Sequence, residues 1–174
     1  MSGTHSYAVD VTWTGNLGSG TSAYRAYSRD CVLQAEGKPP VEASADVAYR
    51  GAADRWNPEE LLVAALSQCH LLWYLHLCAD AGVHVTAYRD GASGTLALTP
   101  DGSGAFREVV LRPHVVVASP DSVVTARALH AEAGRMCFLA RSMAFPVRHE
   151  PTVVAAGPDE QDGQDGPAPA GAGS

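Results

Sequence analysis

The sequence RWNPEELLVAALSQCHLLWYLHLCAD, residues 55–80, decides the fold of this chain. Asn57 precedes a proline and is followed three residues later by Glu60. This pattern predicts a capped helix start, because each side chain can satisfy a free backbone amide at the other residue. From residue 61 to residue 77 the helix is apolar on nearly every side. Such a helix is predicted to be surrounded by protein rather than to lie on a surface.

The same run is not predicted to cross a membrane. Four polar residues interrupt it, Ser67, Gln68, His70 and His76, and it falls short of the roughly 20 apolar residues that a span needs. The N-terminus has neither a basic start nor an apolar stretch, so no signal peptide is predicted. We therefore expect a soluble, cytoplasmic protein without membrane association.

The composition fits one folded domain followed by a tail. With 174 residues and 46% hydrophobic content, the chain can bury one substantial core, which we assign to residues 1–154. Residues 155–174 are rich in Gly, Pro and acidic residues and are predicted to be disordered. Without the four acidic residues of this tail, 15 acidic residues face 12 basic ones. This near balance, without a basic stripe, argues against nucleic-acid binding.

The remaining elements predict an α+β fold class, since blocks of strands alternate with single helices. Before the core helix we predict an antiparallel meander of three strands at residues 7–13, 22–27 and 31–36. After it we predict a hairpin of residues 84–89 and 94–99, a strand at 107–118 broken at Pro113, a second helix at 120–142 and a last strand at 145–154.

Cys69 lies in the middle of the core helix, between Gln68 and His70. Cysteine has the most nucleophilic side chain in the chain, and here it stands on the most rigid predicted element. The alternative is structural, because a free cysteine often serves only as a small buried hydrophobic residue. The residues around Cys69 favour the chemical interpretation.

Residues 57–69, NPEELLVAALSQC, resemble the helix motif of the OsmC/organic hydroperoxide resistance family of thiol-dependent peroxidases. That motif is Asn-Pro-Glu, a Leu-rich turn and a reactive Cys ten residues after the Glu, here Glu59 and Cys69. The resemblance covers about residues 7–154. It implies an OsmC-like fold, an intertwined homodimer in which antiparallel sheets from both chains wrap two central helices.

The family places an Arg beside the reactive thiol, and this Arg is held by the motif Glu. A cation is needed because an unperturbed thiol, with a pKa near 8.5, is only slightly ionised at pH 7. The Arg also donates hydrogen bonds to the departing peroxide oxygen. The resemblance implies that Arg25 has this role, with Arg29 as the alternative. Either Arg could instead be an ordinary solvated charge.

Glu59 and Cys69 would lie roughly 15 Å apart along one continuous helix, which is too far for direct contact. Three explanations remain open. The helix could begin later than its cap suggests, an Arg could bridge the gap, or Glu59 could complete the site of the partner subunit. We rank the first two above the third.

The resemblance implies that Cys137 is the resolving thiol, because it matches the position of the second Cys of the family. Phe138 stands where the family usually has Pro. Cys78 is nine residues from Cys69, on the opposite helix face and about 13.5 Å away. This exceeds the limit of about 7 Å for a disulfide, so Cys78 is excluded. Cys31 is expected to be structural.

Three histidines raise the question of a metal site: His70, His76 and His130. His76 is seven residues, or about 10 Å, from Cys69, too far for the two to share a metal. The chain contains neither HExxH nor CxxC spacing. We therefore expect no metal, and we expect these histidines to pack in the core or at its rim.

The resemblance implies a dithiol peroxidase for organic hydroperoxides that needs no bound cofactor. Its partners would be the hydroperoxide, a dithiol reductant (a small molecule or a lipoylated protein) and a second copy of the chain. Leu66, Leu72 and Trp73 surround Cys69 and would favour an alkyl or fatty-acyl peroxide. The alternative is a non-catalytic protein of the same fold that binds an apolar ligand or senses oxidation.

Overall fold

The computed structural model describes residues 3–157. The chain divides between Ala65 and Leu66 into two compact units, and each is described by itself. The assignment of residues 1–154 to one domain stays a prediction. The last strand ends at Ala155, one residue beyond the predicted boundary. The predicted disorder of residues 158–174 lies outside the described residues.

The N-terminal unit contains an antiparallel meander of three short strands. These are β1 (Asp10–Trp13), β2 (Cys31–Gln34) and β3 (Val41–Ala43), hydrogen-bonded in that order. Cys31 of β2 lies opposite Trp13 on one side and Ala43 on the other. An antiparallel meander was predicted here. The predicted strands at residues 7–13 and 31–36 correspond to β1 and β2, whereas β3 was not predicted. Residues 37–40 lie in the connection between β2 and β3.

Of residues 22–27, predicted as a strand, residues 22–26 form turns and bends, and Tyr27 forms an isolated antiparallel bridge with Asn16. Arg29 explains the difference, because its guanidinium donates to the carbonyl oxygens of Tyr27 and Tyr24, each at 2.8 Å. The same guanidinium lies 4.2 Å from the centre of the Tyr27 ring and 4.4 Å from that of Tyr24. These contacts with Arg29 hold the segment in its turn conformation.

The core helix, α1, spans Pro58–Asp80. Its predicted start is confirmed, since the Asn57 amide donates to Glu60 Oε2 at 3.3 Å and the Glu60 amide donates to Asn57 Oδ1 at 2.8 Å. The helix ends at Asp80. Gly82 has a left-handed φ of 68°, and the Val83 amide donates to the Cys78 carbonyl at 2.8 Å.

The prediction that α1 is buried on all sides is wrong for the single chain. Its buried residues follow one stripe at intervals of four, Leu66, His70, Tyr74 and Cys78. Leu72 is 59% exposed and Leu75 38%. The reason is geometric, because the strands and helices of one chain cover a single face of this helix and leave apolar residues on another face uncovered.

By length and composition, α1 could cross a membrane. It has 23 residues, and an 18-residue window has a mean hydropathy of 1.5. The predicted shortfall concerned the apolar run of residues 61–77, and the helix extends past that run at both ends. Two of its interrupting polar residues contact other elements of the chain: Ser67 Oγ donates to Asp90 at 2.6 Å, and His70 contacts His130. Such contacts are typical of the core helix of a soluble protein, which meets the same criteria.

The C-terminal unit is built on one long bent hairpin. Its strands are β4 (Val85–Asp90), β5 (Ser93–Leu98), β6 (Gly104–Leu111) and β7 (Pro113–Val117). The predicted pairing of residues 84–89 with 94–99 is wrong, since β4 pairs with β7 and β5 with β6. The tight turn is at residues 99–103, where Asp101 Oδ1 accepts from the Ser103 amide at 3.0 Å.

The hairpin bends where β4 and β6 end. Asp90 Oδ1 accepts from the Arg112 amide at 2.6 Å, and Arg112 Nη1 donates to Ser93 Oγ at 2.8 Å. Pro113 begins β7, so the predicted break at this residue is confirmed. The bend separates two three-stranded sheets.

Each of these sheets gains a parallel strand from the end of the chain. β8 (Val147–His149) pairs with β6, and β9 (Thr152–Ala155) pairs with β7. The single strand predicted at residues 145–154 is therefore two, because the chain follows the bend at Glu150 and Pro151. The predicted α+β class is confirmed.

The predicted second helix is interrupted. It consists of a short 3-10 turn (Pro120–Ser122), α2 (Val123–Met136) and α3 (Phe138–Ser142). Cys137 separates the two α-helices with an extended backbone, φ −64° and ψ 112°. A core cluster lies between α1, α2, β7 and β9 and comprises Tyr74, Cys78, Val83, Val115, Val117, Ala126, Ala133 and Val153.

Candidate active site: the Cys69–Cys137 pair

The structure brings Cys69 and Cys137 together. Their Sγ atoms are 2.7 Å apart, and both thiols are free. This separation is longer than the S–S bond of about 2.05 Å, and it allows the Cys137 thiol to donate to Cys69 Sγ. Two thiols held this close in a folded chain need little movement to form a disulfide.

Cys137 is the more buried of the two, with 1% of its surface exposed. Burial raises the pKa of its thiol to about 11, and the hydrogen bond to Cys69 acts in the same direction. The Ala140 amide donates to its Sγ at 3.4 Å, so Cys137 also caps α3. Cys69 is half-buried in the middle of α1. At neutral pH, Cys137 is therefore protonated.

The three residues predicted to bind substrate lie in different environments. Leu66 is fully buried and has no surface for a substrate, so it is a packing residue. Leu72 is exposed. Trp73 is half-buried, with its ring 5.4 Å from the ring of Phe138 in an edge-on arrangement. The sequence prediction missed Phe138, although its position directly after Cys137 could have suggested it.

The two candidate arginines differ in how they are held. Arg29 is bound by two backbone carbonyls and two tyrosine rings of its own loop, as described above. Arg25 is exposed in the same loop. The geometry therefore gives Arg29 a structural role in the N-terminal unit, and the role of Arg25 stays a prediction.

Glu59 lies half-buried in the first turn of α1, because the helix begins at Pro58. One explanation for its distance from Cys69 is thereby removed, since the helix does not begin later than its cap. The other two, a bridging Arg and a role in the partner's site, stay open.

Cys78 and Cys31 do not belong to the cysteine pair. Cys78 is 1% exposed and belongs to the core cluster around Tyr74, where burial raises the pKa of its thiol. Cys31 is half-buried in β2.

A group of aromatic rings begins at His70, the residue that follows Cys69. His70 Nε2 is 3.0 Å from His130 Nδ1, and both residues are 1% exposed. Burial lowers the pKa of His70 to about 4 and that of His130 to about 3, so both rings are neutral. Core packing was predicted for these two histidines, but their mutual hydrogen bond was not.

The third histidine of the group, His149, was missed by sequence reasoning. Its ring lies 5.0 Å from that of His70. It fits there because Gly134 has no side chain: an added Cβ would lie 2.1 Å from His149 Nε2. His76, by contrast, is on the surface 3.5 Å from Asp80. Among residues 3–157, no three side chains of the types that bind metals form a cluster that could hold an ion.

Comparison with known proteins supports the fold. A family model described as OsmC-like protein matches residues 51–152. An OsmC-like protein of unknown function from Vibrio cholerae is 30% identical, with a TM-score of 0.76, and the match covers 86% of this chain and 100% of that chain. A search of the curated proteins finds no match.

Two more distant structures are named as organic hydroperoxide resistance proteins. The one from Elizabethkingia anophelis is 18% identical with a TM-score of 0.61, covering 87% of this chain and 99% of that chain. The one from Legionella pneumophila is 17% identical with a TM-score of 0.62, covering 86% and 98%. At these identities the likeness concerns the fold alone. The family assignment depends on the matched model, which spans more than half of the sequence, and on the Vibrio protein. This chain belongs to the OsmC-like protein family.

Proposed function

We propose that this protein is a dithiol peroxidase that reduces organic hydroperoxides. The observation that carries the proposal is the 2.7 Å separation of Cys69 Sγ and Cys137 Sγ, with one thiol half-buried and the other fully buried. A peroxidase of this type needs one thiol that peroxide can reach and a second within bonding distance of it.

The reaction has two steps. The Cys69 thiolate attacks one oxygen of ROOH, the O–O bond breaks, and Cys69 becomes a sulfenic acid while RO⁻ takes a proton and leaves as ROH. Cys137 then loses its proton and attacks the sulfenic sulfur, which forms the disulfide and releases water. Two thiols are oxidised and one peroxide is reduced. A dithiol reductant, a small molecule or a lipoylated protein, returns both cysteines to thiols, and no bound cofactor takes part.

We assign thiolate activation to Arg25 oriented by Glu59, in the same subunit or across a dimer. A guanidinium would favour the thiolate and would stabilise the negative charge on the departing oxygen. The binding of Arg29 within its own loop supports the choice of Arg25.

For the substrate we propose an alkyl or fatty-acyl hydroperoxide. Leu72, Trp73 and Phe138 offer apolar surface near the cysteine pair, whereas hydrogen peroxide would gain nothing from it. The names of the Elizabethkingia and Legionella proteins point to the same substrate class.

We propose a soluble cytoplasmic homodimer that binds neither membranes nor nucleic acid. Two apolar surfaces that the single chain leaves exposed support the dimer: Leu72 and Leu75 on α1, and the outward residues of the first strand and its approach, Tyr7, Val9, Val11 and Trp13. A second copy of the chain is the partner that the family fold implies.

The experiment is consumption of cumene hydroperoxide with dihydrolipoate as the reductant. Cys69→Ser should abolish turnover while the circular dichroism spectrum is kept, because the change removes the nucleophile and little volume. Cys78→Ser is the matched control and should behave as the parent. Retained turnover in Cys69→Ser overturns the proposal. A parent without turnover favours the non-catalytic alternative of apolar ligand binding or oxidation sensing.

A further inference from the structure

The rings of His149, His70, His130 and Tyr74 form a group that joins three elements, α1, α2 and β8. His149 of β8 stacks on His70 of α1 at 5.0 Å, and His130 of α2 stacks on Tyr74 of α1 at 3.9 Å between ring centres. The rings of His70 and His130 are nearly coplanar and meet edge to edge, with their centres 5.3 Å apart. Successive planes differ by at most 28°. Stacking resists separation of the rings but tolerates sliding, so by itself it does not fix the position of α2 along α1.

The contact between His70 Nε2 and His130 Nδ1 is a hydrogen bond, which depends on direction in a way that stacking does not. Both rings are neutral and buried, so one nitrogen carries the proton and donates while the other accepts. The bond is 3.0 Å long in a site that solvent does not reach. Sliding α2 would leave a buried nitrogen without a partner, which costs more than the bond itself contributes.

The two histidines lie close to the cysteines along the chain. His70 directly follows Cys69, and His130 precedes Cys137 by seven residues, or two helical turns. Cys137 has an extended backbone between α2 and α3, so the end of α2 determines where its sulfur lies. A disulfide tolerates only a narrow range of Cα separation and torsion.

We propose that His70 and His130 are positioning residues for the cysteine pair, their hydrogen bond holding α2 in register with α1 so that Cys137 Sγ stays within reach of Cys69 Sγ. Neither ring is assigned contact with peroxide. The inference rests on the proposed function in that the disulfide it serves is the second step of that reaction.

The chain allows a matched test, because the two residues use different ring nitrogens. The amide of Gln reaches the place of Nε2, and the amide of Asn reaches the place of Nδ1. His70→Gln and His130→Asn can therefore keep the hydrogen bond. His70→Asn and His130→Gln carry the same amide group, but at a distance from the backbone that does not match the bonded ring nitrogen. All four variants lose the ring, so loss of stacking is common to both pairs.

The measurement is the equilibrium of each reduced variant with glutathione disulfide, which yields the Cys69–Cys137 disulfide and two glutathione thiols. The disulfide is quantified by mass spectrometry after trapping with N-ethylmaleimide. No peroxide is involved, so failure of the proposed peroxidase activity and failure of this inference give different results. Thermal unfolding of each variant confirms that it is folded.

We expect the equilibrium constant of His70→Asn to be about tenfold or more below that of His70→Gln, and that of His130→Gln to be below that of His130→Asn by a similar factor. If one pair does not fold, the other pair decides. Equal constants within a pair overturn the inference, since then only the rings matter. A parent chain that forms no Cys69–Cys137 disulfide with glutathione also overturns it.

Discussion

At the scale of single residues, the neutral state of His70 and His130 links the site to pH. Both rings are held uncharged by burial, with His149 facing them from β8 and Tyr74 packed beside them. In the unfolded chain the same histidines would titrate near 6.5. Below that pH the two histidines bind protons in the unfolded state but stay neutral in the folded state.

We therefore predict that stability is fully present above pH 6.5 and falls as the pH decreases toward the folded pKa values of about 4 and about 3. Between pH 6.5 and 5 the two rings together should account for a loss of about 3 kcal/mol. Urea unfolding at both pH values measures it. The double variant His70→Gln, His130→Asn is the control and should lose correspondingly less, because its amides do not titrate. An equal loss in both proteins would show that other groups cause the effect.

The cysteines of the site could be predicted from the sequence, but the histidine group could not. Cys69 lies in a motif with Asn57 and Glu59, and this pattern is readable over a dozen residues. His70, His130 and His149 come together only because α2 and β8 pack on the same side of α1. Gly134 makes room for His149, a contact that the sequence does not indicate.

At the scale of elements, the interruption of the second helix at Cys137 matters most for the site. The backbone is extended at Cys137. The next residue is Phe138, where the family usually has Pro. Three residues before Cys137, Gly134 allows the His149 ring to lie against α2. Near its end, α2 therefore has a glycine that lets the His149 ring pack closely, at a cost in helix propensity.

We predict that Gly134→Ala destabilises the parent by about 1–2 kcal/mol, because the steric cost against His149 exceeds the gain in helix propensity of roughly 1 kcal/mol. In a His149→Ala background the clash is absent, so the same change should stabilise by about 0.5–1 kcal/mol. Chemical denaturation of the four proteins of this cycle measures both effects. Destabilisation in both backgrounds would show that the backbone of Gly134, and not the ring of His149, sets the constraint.

Element ends were predictable where local hydrogen bonds determine them. Asn57 and Glu60 start α1 through contacts within one turn, and Gly82 ends it. The break at Cys137 was not predictable, because apolar residues continue at helical spacing into residues 138–142. The hairpin pairing failed for a similar reason. Residues 91–94 contain two glycines and suggest a turn, but hydrogen bonds of Asp90 and Arg112 make that position a bend.

At the scale of the whole molecule, the single chain leaves much apolar surface uncovered. Val11 is 64% exposed on β1 although it alternates with polar residues as in a half-buried strand. Leu75 on the central helix is exposed in the same way. Sequence periodicity indicates that a face is to be buried, but it does not tell which chain buries it.

We predict that the protein sediments as a dimer at micromolar concentration, because a monomer would expose these faces to water. Leu75→Glu should shift it toward monomer, raising the dissociation constant by about tenfold or more, since a buried interface would receive an unpaired charge. Analytical ultracentrifugation gives both values. A parent that is a stable monomer would contradict the account of α1.

If Cys69 and Cys137 form one redox pair, peroxide joins them in a disulfide, and this disulfide can be measured directly. Trypsin leaves Cys69 and Cys78 in one peptide, because neither Lys nor Arg occurs between Arg55 and Arg89. Chymotrypsin separates them at Trp73 and Tyr74. Free thiols are alkylated before digestion without reductant, and the peptides are identified by mass spectrometry.

One equivalent of cumene hydroperoxide should link Cys69 to Cys137 and leave Cys78 and Cys31 alkylated. In Cys137→Ser the sulfenic acid has no nearby thiol, so a second equivalent should convert Cys69 to the sulfinic acid, whereas Cys78→Ser should give the parental map. A link from Cys69 to Cys78, or alkylation of all four cysteines after peroxide treatment, would contradict the account.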